Sequence, residues 1–278
     1  MNQPVFDKEI LYRAIQMTAA PGVDWLENLY IFDSTDSTNN KAKEMAEEGY
    51  PHGTVIIANR QYMGRGRMGR SFHSPSGLGL YMSVILRPDC QASQLMHLTC
   101  AVAVAVINGL RRELHTPMGQ GPMIKWTNDI ILPPWKLGGI LTELSLDASG
   151  KVRYAIVGIG LNLYHRRSDF PPELQDTAVS LGMCFRDCPP KHHLINSILY
   201  ELHRIDQHLD DKGSIMARYQ DYCYTLGKQI SIHQGDTVRH GTALSVNTDG
   251  ALVVRYDDGG VGIVNSGEVS IRGMYGYV

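Results

Sequence analysis

The chain has 278 residues, 43% hydrophobic and 19% charged, which is enough for one large or two modest domains with buried cores. A net charge of −2 and a pI near 6.6 exclude general electrostatic recruitment of nucleic acid, so any basic site is local. The first residues carry no secretion-signal pattern, the longest apolar run (100–107) is too short to span a bilayer, and the five cysteines read as reduced thiols of a cytoplasmic protein.

Apolar side chains at 10, 11, 14, 15 and 17 predict a helix over 7–19, ended by Pro21-Gly22. A short strand, 29–32, leads into Asp33-Ser-Thr-Asp-Ser-Thr-Asn-Asn40, eight consecutive hydrogen-bonding side chains before a helix that Gly49 stops. A single N-cap explains one such residue. Asp36-Ser37-Thr38-Asn39 also suits recognition of a neutral polar ligand group, and the residues alone leave both readings open.

The β-branched run 54–58 is a buried strand, and after it comes Gln61-Tyr-Met-Gly-Arg-Gly-Arg-Met-Gly-Arg70. Three glycines and three arginines between Gly64 and Arg70 point to an anion, because charge repulsion and backbone entropy both need an offset. Formally the loop matches a dinucleotide fingerprint and a P-loop with Arg in place of Lys. Both require a helix at the last glycine. Pro75, Gly77 and Gly79 forbid one, and an alternating strand follows at 80–86, so the segment is read as a strand–loop–strand that wraps its ligand.

A helix apolar on all sides is expected over 93–114, packed on a sheet. Beyond a Gly/Pro loop at 117–122, two strand pieces in 123–132 meet at Thr127-Asn128-Asp129, with Lys125 among apolar neighbours. Lys136 stands alone as a cation before Gly138-Gly139 and another strand. A turn at 147–150 precedes a buried strand holding Gly158 and Gly160, where something must approach the backbone closely. Helices follow over 191–210 and 214–224. Their histidines at 192, 193, 203 and 208 lack a metal-binding spacing and are expected to face solvent, while Cys184 and Cys188 have no partner pair at zinc spacing. From Gly227 short strands with hairpin turns, among them Thr242 to Val246 and the Asp249-Gly250 turn, predict a small antiparallel barrel.

The order Asp36-Ser37-Thr38-Asn39, Gly64-Arg-Gly-Arg-Met-Gly-Arg70 with Phe72-His-Ser-Pro75, Lys125-Trp-Thr-Asn-Asp129, Lys136-Leu-Gly-Gly-Ile140, Glu143 and Gly158-Ile-Gly-Leu-Asn162 resembles the biotin protein ligases from about Tyr30 to the C-terminus. Thr127 and Gly138 depart from the family's usual Pro and Ala. The resemblance implies an α+β fold: a mixed β-sheet with helices packed on it, like class II aminoacyl-tRNA synthetases, plus a small SH3-like barrel. The implied domains are an N-terminal helical extension (1–28), a catalytic domain (29–226) and the barrel (227–278). Some members carry an N-terminal DNA-binding domain; this chain is expected to be a dedicated ligase without one.

The implied reaction has two steps: biotin and ATP give biotinyl-5'-AMP, and a lysine of a biotin carboxyl carrier protein then displaces AMP. By the same resemblance, Arg65 and Arg67 lie over the adenylate, Arg70 contacts phosphate, and Lys136 bridges the biotin carboxylate and α-phosphate. Ser37, Thr38, Asn39 and Gln61 hold the ureido ring. Gly139 and Gly160 let the ligand approach backbone, and Gly64, Gly66 and Asn162 are further expected ligand-binding positions. Asp129 holds Mg²⁺ or accepts the attacking lysine's proton, and the two roles stay open. ATP, Mg²⁺ and biotin are thus the expected small molecules, a carrier protein the partner, with no membrane and no DNA; a homodimer through a sheet edge is open. The rival readings are a lipoate or octanoate ligase or transferase and, from another class, a nucleic-acid-binding regulator.

Overall fold

In the computed structural model, which describes residues 7–116 and 120–266 and the backbone of 269–273, the apolar runs assemble into two sheets. Parts of the expected extension (1–6), of the Gly/Pro loop (117–119) and of the barrel (267–268 and 274–278) lie outside the described residues. Helix α1 (Lys8–Met17) is capped by Asp7, whose carboxylate accepts from the N–H groups of Glu9 and Ile10 at 2.9 and 3.1 Å. Then come β1 (Leu29–Phe32), α2 (Thr38–Glu47), β2 (Thr54–Ala58), β3 (Gly79–Leu86), α3 (Leu98–Leu114), β4 (Met123–Lys125), β5 (Asp129–Leu132), β6 (Trp135–Leu146) and β7 (Val152–Asn162). Three more helices follow: α4 (Leu181–Cys184), α5 (Lys191–Asp206) and α6 (Lys212–Tyr222).

The seven strands form a mixed sheet in the order β1-β2-β3-β7-β6-β5-β4, with β1 and β2 parallel and the other neighbours antiparallel. Successive strand residues point to opposite faces. Val55, Ile57, Val84 and Val157 therefore join the large core with α3 and α5, while Ile56, Ile85 and Ile156 pack on Ala42 and Met45 of α2. Beyond Asn39, which α2 lays on Gly158, that second face is left open towards Gly160, and a cavity lies there.

Helix α3 begins at Leu98 rather than at 93, because Ala92–Leu95 forms a 3₁₀ turn in which Gln94 accepts from the Gln91 N–H at 2.9 Å. Turn and helix together, Ala92–Leu114, are by length and composition apolar enough to cross a membrane, contrary to what run 100–107 alone suggests; 72% of its 18-residue apolar window is buried, and its apolar character is that of a core helix. His203 also departs from expectation: it stands edge-on to Trp25 at 5.3 Å and 3.4 Å from Asp24 instead of facing solvent.

The second sheet holds β8 (Gln229–Gln234), β9 (Thr237–Val246), β10 (Leu252–Tyr256), β11 (Val261–Val264) and β12 (Val269–Gly273) in the antiparallel order β11-β10-β9-β8-β12. Strand β9 starts ahead of the expected Thr242. The Asp249-Gly250 turn is real, with Gly250 at φ 84°, and it docks on the first sheet's domain. The Trp126 indole N–H donates to the Gly250 carbonyl at 2.9 Å, and Lys212 pairs with Asp249 at 2.7 Å.

Candidate active site

The cavity has a volume of about 480 Å³, within the range of small-molecule pockets. Its walls come from the start of α2, the 61–72 loop, the β4–β5 turn, and strands β6 and β7. Antiparallel register places Gly139 opposite Gly160 and Leu141 opposite Gly158, while Ser83 of β3 lies beside Gly158. Space for the floor depends on missing side chains. A Cβ on Gly158 would sit 2.0 Å from Asn39 Oδ1, and one on Gly160 would sit 2.7 Å from the Phe72 ring, whereas one on Gly139 would meet nothing closer than 3.6 Å.

One end of the cavity is neutral and hydrogen-bonding. Ser37 occupies the N-cap of α2 but makes no capping hydrogen bond with its side chain, so the cap reading of this segment does not account for it. The Thr38 N–H and hydroxyl both donate to Gln61 Oε1, at 2.8 and 3.1 Å, and Gln61 Nε2 donates to Ser74 Oγ at 2.8 Å. Asn39 is 4% exposed and its Nδ2 donates to Glu143 at 2.8 Å and to the Leu141 carbonyl at 3.2 Å.

The other end is cationic. Arg67, Arg70, Lys125 and Lys136 line it together with Asn128 and Asp129. Lys136 Nζ lies 2.6 Å from Asp129 Oδ1, an ion pair that presents the ammonium at a fixed place. Arg67 donates to Asn128 Oδ1 at 2.9 Å and to the Ser266 carbonyl of the second sheet's domain, and burial lowers its pKa, opposed by the charge of Asp129. Asn128 in turn donates to the Ile140 carbonyl at 2.9 Å, and the Tyr219 hydroxyl holds the Thr127 carbonyl at 3.1 Å. The 64–72 loop contains a 3₁₀ turn at Arg67–Gly69 and no α-helix; Met68 takes a left-handed conformation at φ 55°. With no helix beginning at Gly69, the loop is neither a dinucleotide fingerprint nor a P-loop.

Of the residues singled out from sequence, Ser37, Thr38, Asn39, Gln61, Arg65, Gly66, Arg67, Arg70, Asp129, Lys136, Gly139 and Gly160 meet on the cavity wall. Two stand apart from it. Gly64 is buried behind the loop, where an added Cβ would lie 2.4 Å from the Phe72 carbonyl, and Asn162 turns its amide to the Val179 carbonyl at 3.1 Å. Arg65 reaches the wall, but its guanidinium is turned to Glu143 (3.0 Å) and Asn40 (2.8 Å). Sequence reasoning passed over Phe72, Trp126, Asn128 and Leu141 as lining, and Ser83 behind it. Phe72, Trp126 and Asn128 sit inside quoted motifs, which was the available signal; Ser83 in an apolar strand offered none.

An α+β domain whose sheet carries a cavity neutral at one end and cationic at the other, bordered by an arginine–glycine loop and backed by a small all-β domain, defines a class of proteins whose ligand carries both a neutral polar group and an anion. Residues 31–162 match the Biotin/lipoate A/B protein ligase family, and residues 225–272 match the Biotin protein ligase C terminal domain. The chain is 34% identical over 235 residues to the bifunctional ligase/repressor BirA of Bacillus subtilis (strain 168), covering 84% of this chain and 71% of that protein. It is 28% identical to the biotin–[acetyl-CoA-carboxylase] ligase of Mycobacterium tuberculosis, covering 89% and 90% of the two chains. Among solved structures it is similar to the biotin protein ligase of Aquifex aeolicus in complex with biotin and ATP, with a TM-score of 0.74, 26% identity, and 89% and 99% of the two chains covered. This chain belongs to the biotin protein ligases.

Proposed function

We infer that the protein attaches biotin to a lysine of a biotin carboxyl carrier protein, using ATP and passing through biotinyl-5'-AMP. The observation that carries the reading is the polarity of the cavity: a neutral floor of Thr38, Asn39 and Gln61 at one end, and Arg67, Arg70 and Lys136 at the other. In the first step a biotin carboxylate oxygen attacks the α-phosphorus and pyrophosphate leaves. Negative charge grows on phosphate oxygens, and prepositioned cations stabilise it more than they stabilise the reactants. In the second, the acceptor amine attacks the acyl carbon, loses its proton and expels AMP.

We assign Lys136 to the biotin carboxylate and α-phosphate, Arg67 and Arg70 to phosphate oxygens, and Ser37, Thr38, Asn39 and Gln61 to the ureido ring. Asp129 orients Lys136. Among the described residues no group of three His, Cys, Asp or Glu side chains could hold a metal ion. We propose that Mg²⁺ arrives on the ATP phosphates with Asp129 as its protein ligand, since phosphate-bound Mg²⁺ needs few carboxylates and keeps water; it would supply further charge neutralisation.

The domain division proposed is 1–28, 29–226 and 227–278, on the ground that the first sheet ends before Gly227 and the second begins at Gln229. We propose a homodimer through β6, whose pairing with β5 ends at Gly139 and whose Leu144 and Leu146 are exposed. A net charge of −2 favours action without DNA, and five free cysteines favour the cytoplasm.

The test is pyrophosphate exchange into ATP with Mg²⁺, comparing biotin, lipoate and octanoate, with Lys136→Ala as control. Biotin-dependent exchange that is lost in the variant is the expected result. Exchange with lipoate or octanoate alone would overturn the assignment of the floor to a ureido ring.

A further inference from the structure

Two polar residues that do not line the cavity, Ser83 and Glu143, hold the amide that does. Ser83 is 0% exposed in β3, and its hydroxyl lies 2.7 Å from Asn39 Oδ1 and 2.8 Å from Thr38 Oγ1. Glu143, on β6, accepts from Asn39 Nδ2 at 2.8 Å. Both Glu143 oxygens also accept from Arg65, Oε1 from Nη2 at 3.0 Å and Oε2 from Nη1 at 3.2 Å. Asn39 Oδ1 can only accept, so the single Ser83 proton goes to it, and a continuous hydrogen-bonded path runs from Ser83 through Asn39 and Glu143 to Arg65, with Thr38 in close contact with Ser83.

The inventory of Asn39 makes this more than scaffolding. A primary amide has two N–H donors and two carbonyl lone pairs. Here the donors go to Glu143 and the Leu141 carbonyl, and one lone pair accepts from Ser83. What remains for the cavity is one acceptor lone pair. Reversing the amide would set its carbonyl against the Glu143 carboxylate and its N–H₂ against the Ser83 side. A carboxylate only accepts, so it selects one orientation, and the Arg65 fork holds that carboxylate in place.

We propose that Glu143, braced by Arg65 and seconded by Ser83, is a specificity-determining positioning residue: it fixes Asn39 so that the floor offers an acceptor to a ligand N–H. The inference rests on the ligase reading and deepens it, because a ureido ring carries N–H donors while the ring or chain of lipoate and octanoate carries none. A site built around one unmet hydrogen-bond partner rejects the acid that cannot supply it.

The substitution to make is Glu143→Gln, which keeps size and can still accept from Asn39 but can equally donate, so the amide orientation is no longer imposed. Biotin affinity by titration calorimetry should fall on the order of 30-fold, the KM for ATP should stay within about twofold, and the preference for biotin over lipoate in pyrophosphate exchange should fall with it. Ser83→Ala should weaken biotin binding several-fold, and the double variant should lose far less than the product of the two effects, since both act on one amide. An unmoved biotin affinity in folded Glu143→Gln, equal rises in KM for biotin and ATP, or independent effects in the double variant would overturn the proposal. Absence of biotin-dependent exchange in the wild-type protein would instead sink the ligase reading, so the two failures are told apart.

Discussion

Gly158→Ala tests the geometry of the floor most directly. A Cβ at this position would lie 2.0 Å from Asn39 Oδ1 and 2.8 Å from its Cγ, where ordinary contact begins at 3.4 Å, so the amide must retreat by about 1 Å or more. The amide is tied where it stands: Asn39 is 4% exposed on the first turn of α2, its oxygen and nitrogen are bonded to Ser83 and Glu143, and Gly158 is held in register between Ser83 and Leu141. The displacement breaks the 2.7 Å bond from Ser83 and the 2.8 Å bond to Glu143. Overpacking costs about 1–3 kcal/mol, and buried polar groups left unpaired cost about 1–3 kcal/mol more. The sum, roughly 2–6 kcal/mol, should lower Tm by on the order of 10 °C. Biotin KM in pyrophosphate exchange should rise at least about 100-fold, because the acceptor it needs has been moved. Gly139→Ala is the matched control: its nearest neighbours lie at 3.6 and 3.7 Å, so it should fold with nearly unchanged Tm. If Gly158→Ala melts within about 2 °C of wild type and keeps its biotin KM, Asn39 is not anchored as described and the reasoning fails.

Arg67→Gly removes the bonds from the loop to Asn128 and Ser266; adenylation should persist while biotinyl-AMP escapes, read as free intermediate in solution, and escape at the wild-type level would refute the clamp. Trp126→Phe keeps the ring but loses the N–H donated to the Gly250 carbonyl, and thermal denaturation should show a loss of about 1–2 kcal/mol. His165 is 1% exposed, stacked 4.7 Å from Phe170, and neither ring nitrogen has a hydrogen-bond partner among the described residues. Burial, assisted by nearby His73, holds its imidazole at about 4, below the ordinary 6.5. The folded chain therefore refuses a proton that the unfolded chain binds, so this contribution to stability is full above pH 6.5 and is lost as pH falls toward about 4, by roughly 3 kcal/mol. His165→Phe should flatten the pH dependence of denaturant midpoints in that window; an unchanged slope would show that the imidazole is already charged in the fold.

Local chemistry made much of the molecule legible before any fold was known. Glycine and proline after Gly69 ruled out a helix there because neither propensity nor ring geometry permits one, and the 61–72 segment is indeed a loop. The β-branched run 54–58 is a strand with all five residues buried, and the all-round apolar segment before Leu114 is a core helix. The cations of the cavity were visible as charges that their neighbours did not explain.

What the chain alone determined, then, were the elements and the chemical character of each loop, since these depend on steric and hydrophobic rules that act over a few residues. Only the tertiary structure decided which of those groups face one another. Asn39 and Glu143 are 104 positions apart, Arg67 and Ser266 are 199 apart, and no periodicity encodes either meeting. Arg65 was legible as a cation, but strand register brought Glu143 beneath the loop and turned that guanidinium away from the phosphate end. Ser83 was invisible for the same reason: one hydroxyl in an apolar strand acquires meaning only when the neighbouring strand presents a glycine, and a helix lays its amide into the gap.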